Sequence, residues 1–139
     1  MSIVNEDRLE RELDLAPHEI EELVQAGVLA PEPSGLFSLP WNRFALRIWR
    51  HQEPALIEGL RHEAASMADN YWVRLKIYRR SVLAGPEARV TLTSLGLNAL
   101  RRIRLLINMT AGKARNRLAF QAREIEHALD RPPCPRAAE

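Results

Sequence analysis

A mainly α-helical fold is predicted by three features of this sequence. Apolar residues recur three and four positions apart through most of the chain. Those stretches are punctuated by proline and glycine, at Pro17, Gly27, Pro54, Gly85-Pro86 and Gly112. Residues that cap helices well, Asn5 and Ser38, stand directly before two of them.

Taken in order, Asn5 is placed to cap a first helix over residues 6–13. Glu6 and Asp7 fall in its first turn, where the helix dipole favours acids, and Leu9 and Leu13 share one apolar face. The tight turn Asp14-Leu15-Ala16 leads to Pro17, which suits the first position of a helix because its missing N–H would be unpaired there anyway. Ile20, Leu23 and Val24 give this second helix a buried stripe, and Gly27 is placed to end it in the left-handed conformation. Val28-Leu29-Ala30 and Leu36-Phe37-Ser38 flank Pro31-Glu32-Pro33-Ser34-Gly35, which predicts a small hairpin whose ladder is limited by its prolines.

Ser38 caps a third helix with Pro40 in its first turn and Trp41, Phe44, Ala45, Ile48 and Trp49 at helical spacing. Pro54 breaks that helix near Gln52. Periodicity resumes through Leu56, Ile57, Leu60, Ala64 and Met67 and on to Trp72, Leu75 and Tyr78, and Gly85-Pro86 is the clearest stop in the chain. Val90-Thr91-Leu92-Thr93 reads either as a short strand or as the cap of the next helix. Leu97, Leu100, Ile103 and Ile107 form a further stripe, and Leu118, Ala122, Ile125 and Leu129 another. Trp41, Trp49 and Trp72, with Phe44, Tyr71 and Tyr78, fall on these stripes and read as core; the alternative is an exposed aromatic anchor for a partner.

With 139 residues, 46% of them hydrophobic and 27% charged, the composition is that of an ordinary globular chain of single-domain size. No run approaches the roughly eighteen apolar residues that cross a bilayer, and the acidic N-terminus has no signal-peptide core, so the expected place is the cytoplasm and no membrane contact is expected. The single cysteine, Cys134, has no partner for an internal disulfide and stands among Pro132, Pro133 and Pro135 in what reads as an exposed tail.

The net charge of +2 conceals an asymmetry. Residues 1–40 carry nine acids and two bases, a net of −7, and residues 41–139 carry eighteen bases and nine acids, a net of +9. A dipolar chain of this kind can pair its own ends, form a head-to-tail homodimer or show two faces to different partners. Eighteen of the twenty bases are arginines, which genomic base composition can produce without any nucleic-acid ligand.

The stretch "LDLAPHEIEELVQAGVLAPEPSGLFSLPWNRFALRIWRH" resembles the winged helix-turn-helix head of MerR-type regulators. The resemblance lies in Leu13 and Leu15 before the turn, Ile20 and Leu23 in the second helix, Ala26-Gly27-Val28-Leu29 with Pro31 after it, Phe37 at the returning wing, and Arg47-Ile48 in the next helix. The resemblance covers about residues 3–52 and implies a winged helix-turn-helix-like head over residues 1–52. The apolar spacing beyond it predicts a helical region, a bundle or a hairpin, with basic C-terminal helices over 53–130, and composition a Pro-rich tail over 131–139, within a mainly α fold.

Charge departs from the DNA-binding version of that head. Its second helix would enter the major groove with basic or amide side chains, yet here it presents His18, Glu19, Glu21, Glu22 and Gln25. Carboxylates repel phosphates, and affinity for DNA is largely electrostatic. The acidic helix followed by "QAGVLAPE" is more similar to the chaperone-modulator branch of the same superfamily, whose members, as the resemblance implies, bind the basic J-domain of a DnaJ-like co-chaperone. The expected activity is therefore that of a regulatory adaptor, not an enzyme, docking a protein with a basic surface through Glu10, Glu12, Glu19, Glu21 and Glu22.

Two alternatives stand beside it. The chain from Glu87 to Glu124 holds no acid between those two residues, and Arg101, Arg102, Arg104, Lys113, Arg115 and Arg117 alternate there with apolar positions. Such basic amphipathic helices suit a transcriptional regulator that contacts phosphates, and "RVTLTSLGLNAL" is similar to the wing-to-helix junction of MarR- and PadR-type regulators. The blander reading is a solvated basic face over an apolar stripe. A phage-type inhibitory or structural protein is the second alternative. No catalytic, metal or cofactor set stands out: Arg61-His62-Glu63-Ala64-Ala65-Ser66 starts like a zinc-protease helix, but Ser66 stands where the second histidine is needed.

Overall fold

The structure, a computed structural model, describes residues 3–81 and 85–130; the Pro-rich tail with Cys134 lies outside the described residues. The described chain is mainly helical: β1 (Ile3–Val4), α1 (Glu6–Leu13), α2 (Pro17–Ala26), β2 (Phe37–Ser38), α3 (Leu39–His51), α4 (Pro54–Arg80), α5 (Pro86–Ile107) and α6 (Gly112–Asp130).

Local chemistry sets most of these boundaries. The Asn5 side chain accepts the Arg8 N–H at 2.9 Å and starts α1. The Ala16 N–H donates to Glu19 Oε1 at 3.0 Å, and Pro17 opens α2. Gly27, at φ 85°, ends α2, its N–H bonding back to the Leu23 and Val24 carbonyls. The Ser38 hydroxyl accepts the Trp41 N–H at 3.4 Å and starts α3. Pro54 and Pro86 open α4 and α5, positions where a missing N–H costs nothing.

One local expectation is narrowed and one changes. The hairpin expected across Pro31–Gly35 is reduced to its tip, closed by the Glu32 N–H on Leu36 O at 2.7 Å and the Gly35 N–H on Glu32 O at 2.9 Å. A single bridge joins Pro31 to Phe37, and the ladder of β2 runs instead to β1, Val4 opposite Phe37 and Ile3 opposite Ser38, antiparallel. Pro31 and Pro33 have no N–H to donate, so Phe37 and Ser38 pair with the N-terminal segment. Val90–Thr93 is neither a strand nor a cap but lies inside α5. Leu92 is buried in the core there, and that packing outweighs the lower helix propensity of Val90 and Thr91.

α4, α5 and α6 form an antiparallel three-helix body. Glu63 of α4 meets Arg102 of α5, whereas Tyr71, further along α4, meets Gly96, earlier on α5. α6 runs back in the same manner, Leu129 reaching Gly96 and Glu126 reaching Arg104. Gly96 is the crossing point: a Cβ there would lie 2.8 Å from the Tyr71 ring and 2.9 Å from a Leu129 methyl carbon. The absent side chain lets α4 and α6 approach α5 from two sides.

The head has a small core of its own, with Val4, Leu9, Leu13, Leu15, Ile20, Leu29, Phe37, Leu39 and Leu46. It is not packed separately from the body. Val28, Trp41, Ala45 and Ile48 of the head belong to the same core as Leu60, Tyr71 and Leu75 of α4 and Leu100, Ile103 and Leu106 of α5. The break near Gln52 is therefore a bend in the chain, while the core runs across it. The Asn108 side chain donates to the Ala26 carbonyl at 2.8 Å, fastening the end of α2 to the end of α5.

The aromatic residues divide. Trp41, Tyr71 and Tyr78 are buried and Trp49 and Phe44 half-buried, as core. Trp72 is 37% exposed, edge-on to the Tyr71 ring at 5.1 Å, because its neighbour Tyr71 occupies the buried stripe and places Trp72 on its flank.

Candidate docking surfaces

The sequence-predicted glutamates occupy two adjoining helices with different environments. Glu12 is engaged within the head: its Oε2 lies 2.6 Å from an Arg43 guanidinium nitrogen, and its Oε1 lies 3.7 Å from Arg8 Nε. This ties α1 to α3. Glu19 accepts the Ala16 N–H at the start of α2. Glu21 and Glu22 are exposed and, among the described residues, form no ion pair; Glu10 is half-buried and likewise has none. Of the five, Glu12 and Glu19 hold the head together locally, while Glu10, Glu21 and Glu22 keep unneutralised charge.

Between α1, α2 and β2 lies a groove of about 440 Å³ with Ile20, Val24 and Phe37 along its floor and Glu6, Glu21 and Gln25 at its sides. An apolar floor under carboxylates suits a basic side with an apolar anchor. Glu6 was not singled out in the sequence, because a first-turn acid is explained by the helix dipole alone. Only the fold brings it alongside Glu21.

The basic residues separate into two sets. Arg102 is 8% exposed, its Nε donating to Glu63 Oε1 at 2.6 Å and its terminal nitrogen to the Asn98 carbonyl at 2.9 Å. Its guanidinium carbon lies 4.7 Å from the centre of the Trp41 ring, and that of Arg101 lies 4.5 Å from it. Arg101 also lies 3.6 Å from Glu32 of the head, and burial, with Arg102 alongside, lowers its pKa from the ordinary arginine value. Arg104 pairs with Glu126 of α6 at 3.4 Å.

These three arginines, predicted as phosphate contacts, are thus held by the protein's own acids and by Trp41. Arg102 in particular is withdrawn from the surface: leaving it would strip a nearly dry guanidinium of its carboxylate. Lys113, Arg115 and Arg117 behave differently. They are exposed at the start of α6 and, among the described residues, take part in no ion pair.

Asn42 is the residue that sequence reading missed. It is fully buried, accepts the Ala30 N–H at 2.8 Å, and donates to the Ala30 carbonyl at 3.3 Å and the Ser38 carbonyl at 2.7 Å. The only signal in the sequence was a polar residue beside Trp41 within an apolar stripe.

Among the described residues no group of three or more His, Cys, Asp or Glu could hold a metal ion, and no helix is long and apolar enough to cross a membrane. All four histidines are exposed, and His62, in the stretch that begins like a zinc-protease helix, lies 3.4 Å from Glu58. Comparison with protein-family models, curated proteins and solved structures returned no match.

Proposed function

We propose that this chain is a non-enzymatic, cytoplasmic regulatory adaptor that docks a basic protein surface through its acidic, MerR-like head, in the manner of a chaperone modulator. One observation carries the reading. Glu21 and Glu22 stay exposed and unpaired on α2, beside a groove lined by Ile20, Val24 and Phe37, while Arg101 and Arg102, packed against Trp41 of the head, are paired with Glu32 and Glu63. A basic partner that inserts an apolar side chain between Glu6 and Glu21 would gain burial and charge complementarity together.

A second reading, a nucleic-acid-binding regulator, is favoured by the exposed, unpaired Lys113, Arg115 and Arg117. It rests on fewer cations than the sequence promised, since Arg101 and Arg102 are engaged with Glu32, Glu63 and Trp41, and the exposed Arg104 shares its charge with Glu126.

One pair of titrations separates the two. The protein is titrated at low salt with the J-domain of a DnaJ-like co-chaperone and, separately, with random duplex DNA. The docking reading expects J-domain binding that weakens by about tenfold or more when Glu21 and Glu22 are both replaced by lysine, and no DNA binding. J-domain affinity unchanged by that double charge reversal would overturn it. DNA binding that collapses as salt is added, and falls with Lys113, Arg115 and Arg117 changed to glutamine, would establish the second reading instead.

A further inference from the structure

Away from the acidic groove, two adjoining cavities of about 340 and 530 Å³ open between the proline-rich turn of the head and α5. Both are lined by Glu32, Pro33, Thr93, Leu97 and Arg101. Their size lies in the range of small-molecule sites, roughly 300–1,000 Å³. The walls are mainly apolar, with Val24, Leu29, Leu100 and Leu129 around the larger cavity and Val90 at the smaller. Val90 is 68% exposed, an apolar side chain left in solvent beside the opening. Arg89 lines the smaller cavity and Arg104, paired with Glu126, the larger; Glu32 is the one carboxylate among the lining residues.

Hydrogen bonding here is incomplete. Arg101 reaches Glu32 at 3.6 Å, too long for a hydrogen bond. Arg101 Nε is buried without an acceptor, and so is the indole Nε1 of Trp41, whose ring lies against the same guanidinium. An unsatisfied buried donor is costly, and Arg101, whose side chain is 22% exposed and lines both cavities, has no hydrogen-bonded carboxylate among the described residues. Burial, with the Arg102 charge alongside, lowers the pKa of Arg101 against the partial compensation of Glu32 and Glu63.

We propose that this cleft binds a small organic carboxylate with an apolar body, the carboxylate replacing Glu32 as the partner of Arg101 and the body lying along Leu97 and Leu100. The arginine fork matches a carboxylate bidentately, which Glu32 at its present distance does not achieve. Glu32 belongs to the turn that leads into β2, whereas Arg101 belongs to α5. Occupation therefore acts on the contact between head and body. The site stands whether or not the acidic head is a docking surface.

Decanoate, decanol and acetate serve as probes, each titrated into the full chain by calorimetry below the concentration at which decanoate forms micelles. Saturable decanoate binding is expected, with decanol (body without charge) and acetate (charge without body) each weaker by about tenfold or more. Arg101→Gln and Arg89→Gln are each expected to weaken decanoate by about tenfold, and Arg50→Gln, on the exposed side of α3, to leave it unchanged. Decanol binding as well as decanoate would overturn carboxylate recognition. Saturation by none of the three, or full decanoate affinity in a folded Arg101→Gln protein, would overturn the site. Should Arg101→Gln fail to fold, the exposed Arg89→Gln decides: unchanged affinity there counts against the proposal.

Discussion

Asn42 grips Ala30 by both of its backbone groups, accepting the N–H at 2.8 Å and donating to the carbonyl at 3.3 Å, while its remaining donor holds the Ser38 carbonyl at 2.7 Å. One buried amide thus joins both ends of the segment between α2 and α3, the segment that carries Glu32 and Phe37.

Replacing Asn42 with alanine leaves those three backbone groups without their partner. The expected loss is about 2–4 kcal/mol, because orphaned partly buried polar groups cost more than a hydrogen bond returns when made. A urea titration should show a lower midpoint with an unchanged slope. A midpoint equal to that of the parent would mean that the turn is held by Phe37 and the β1–β2 pair alone.

Gly96 and Gly59 are expected to respond in opposite directions to alanine. Both lie inside helices and both gain about 1 kcal/mol of helix propensity from the change. At Gly59 nothing lies within 4 Å of the new Cβ, so Gly59→Ala should stabilise. At Gly96 the new carbon meets Tyr71 and Leu129 at 2.8 and 2.9 Å, and overpacking of that kind costs about 1–3 kcal/mol. Gly96→Ala should lower the melting temperature, and Gly96→Val should lower it further. Thermal denaturation of the three variants side by side tests both signs.

Tyr71 carries a pH dependence. Burial of the ring pushes its phenol above 10.0, and the Arg79 charge offsets this only in part. The unfolded chain therefore loses this proton first, so the contribution of Tyr71 is fully present below about pH 10 and declines as pH rises from there toward the folded pKa. Tyr71→Phe, which keeps the ring and removes the hydroxyl, should show a shallower fall in stability above pH 10 in alkaline melts. Identical slopes for parent and variant would remove Tyr71 as the source.

Helix boundaries were legible because their causes are local. Asn5, Ser38, Gly27, Pro54 and Pro86 act on backbone groups within a few residues, and the structure starts or stops helices at each. The apolar stripes were legible for the same reason, since helical spacing is a property of a single segment. Where the local signal was weak, as at Val90–Thr93, burial of Leu92 decided.

By itself the sequence determined a mainly helical chain, its punctuation and the separation of acids from bases. Only the tertiary structure decided which charges remain available. Arg101, Arg102 and Arg104 read like Lys113, Arg115 and Arg117, yet the first three meet Glu32, Glu63 and Glu126 across the fold, and the last three meet no described acid. In the same way the fold set Glu6 beside Glu21 over an apolar floor and turned Trp72 outward. The physical reason is shared: a charge or a ring is neutralised or buried by what packs against it, and those partners lie tens of residues away in the chain.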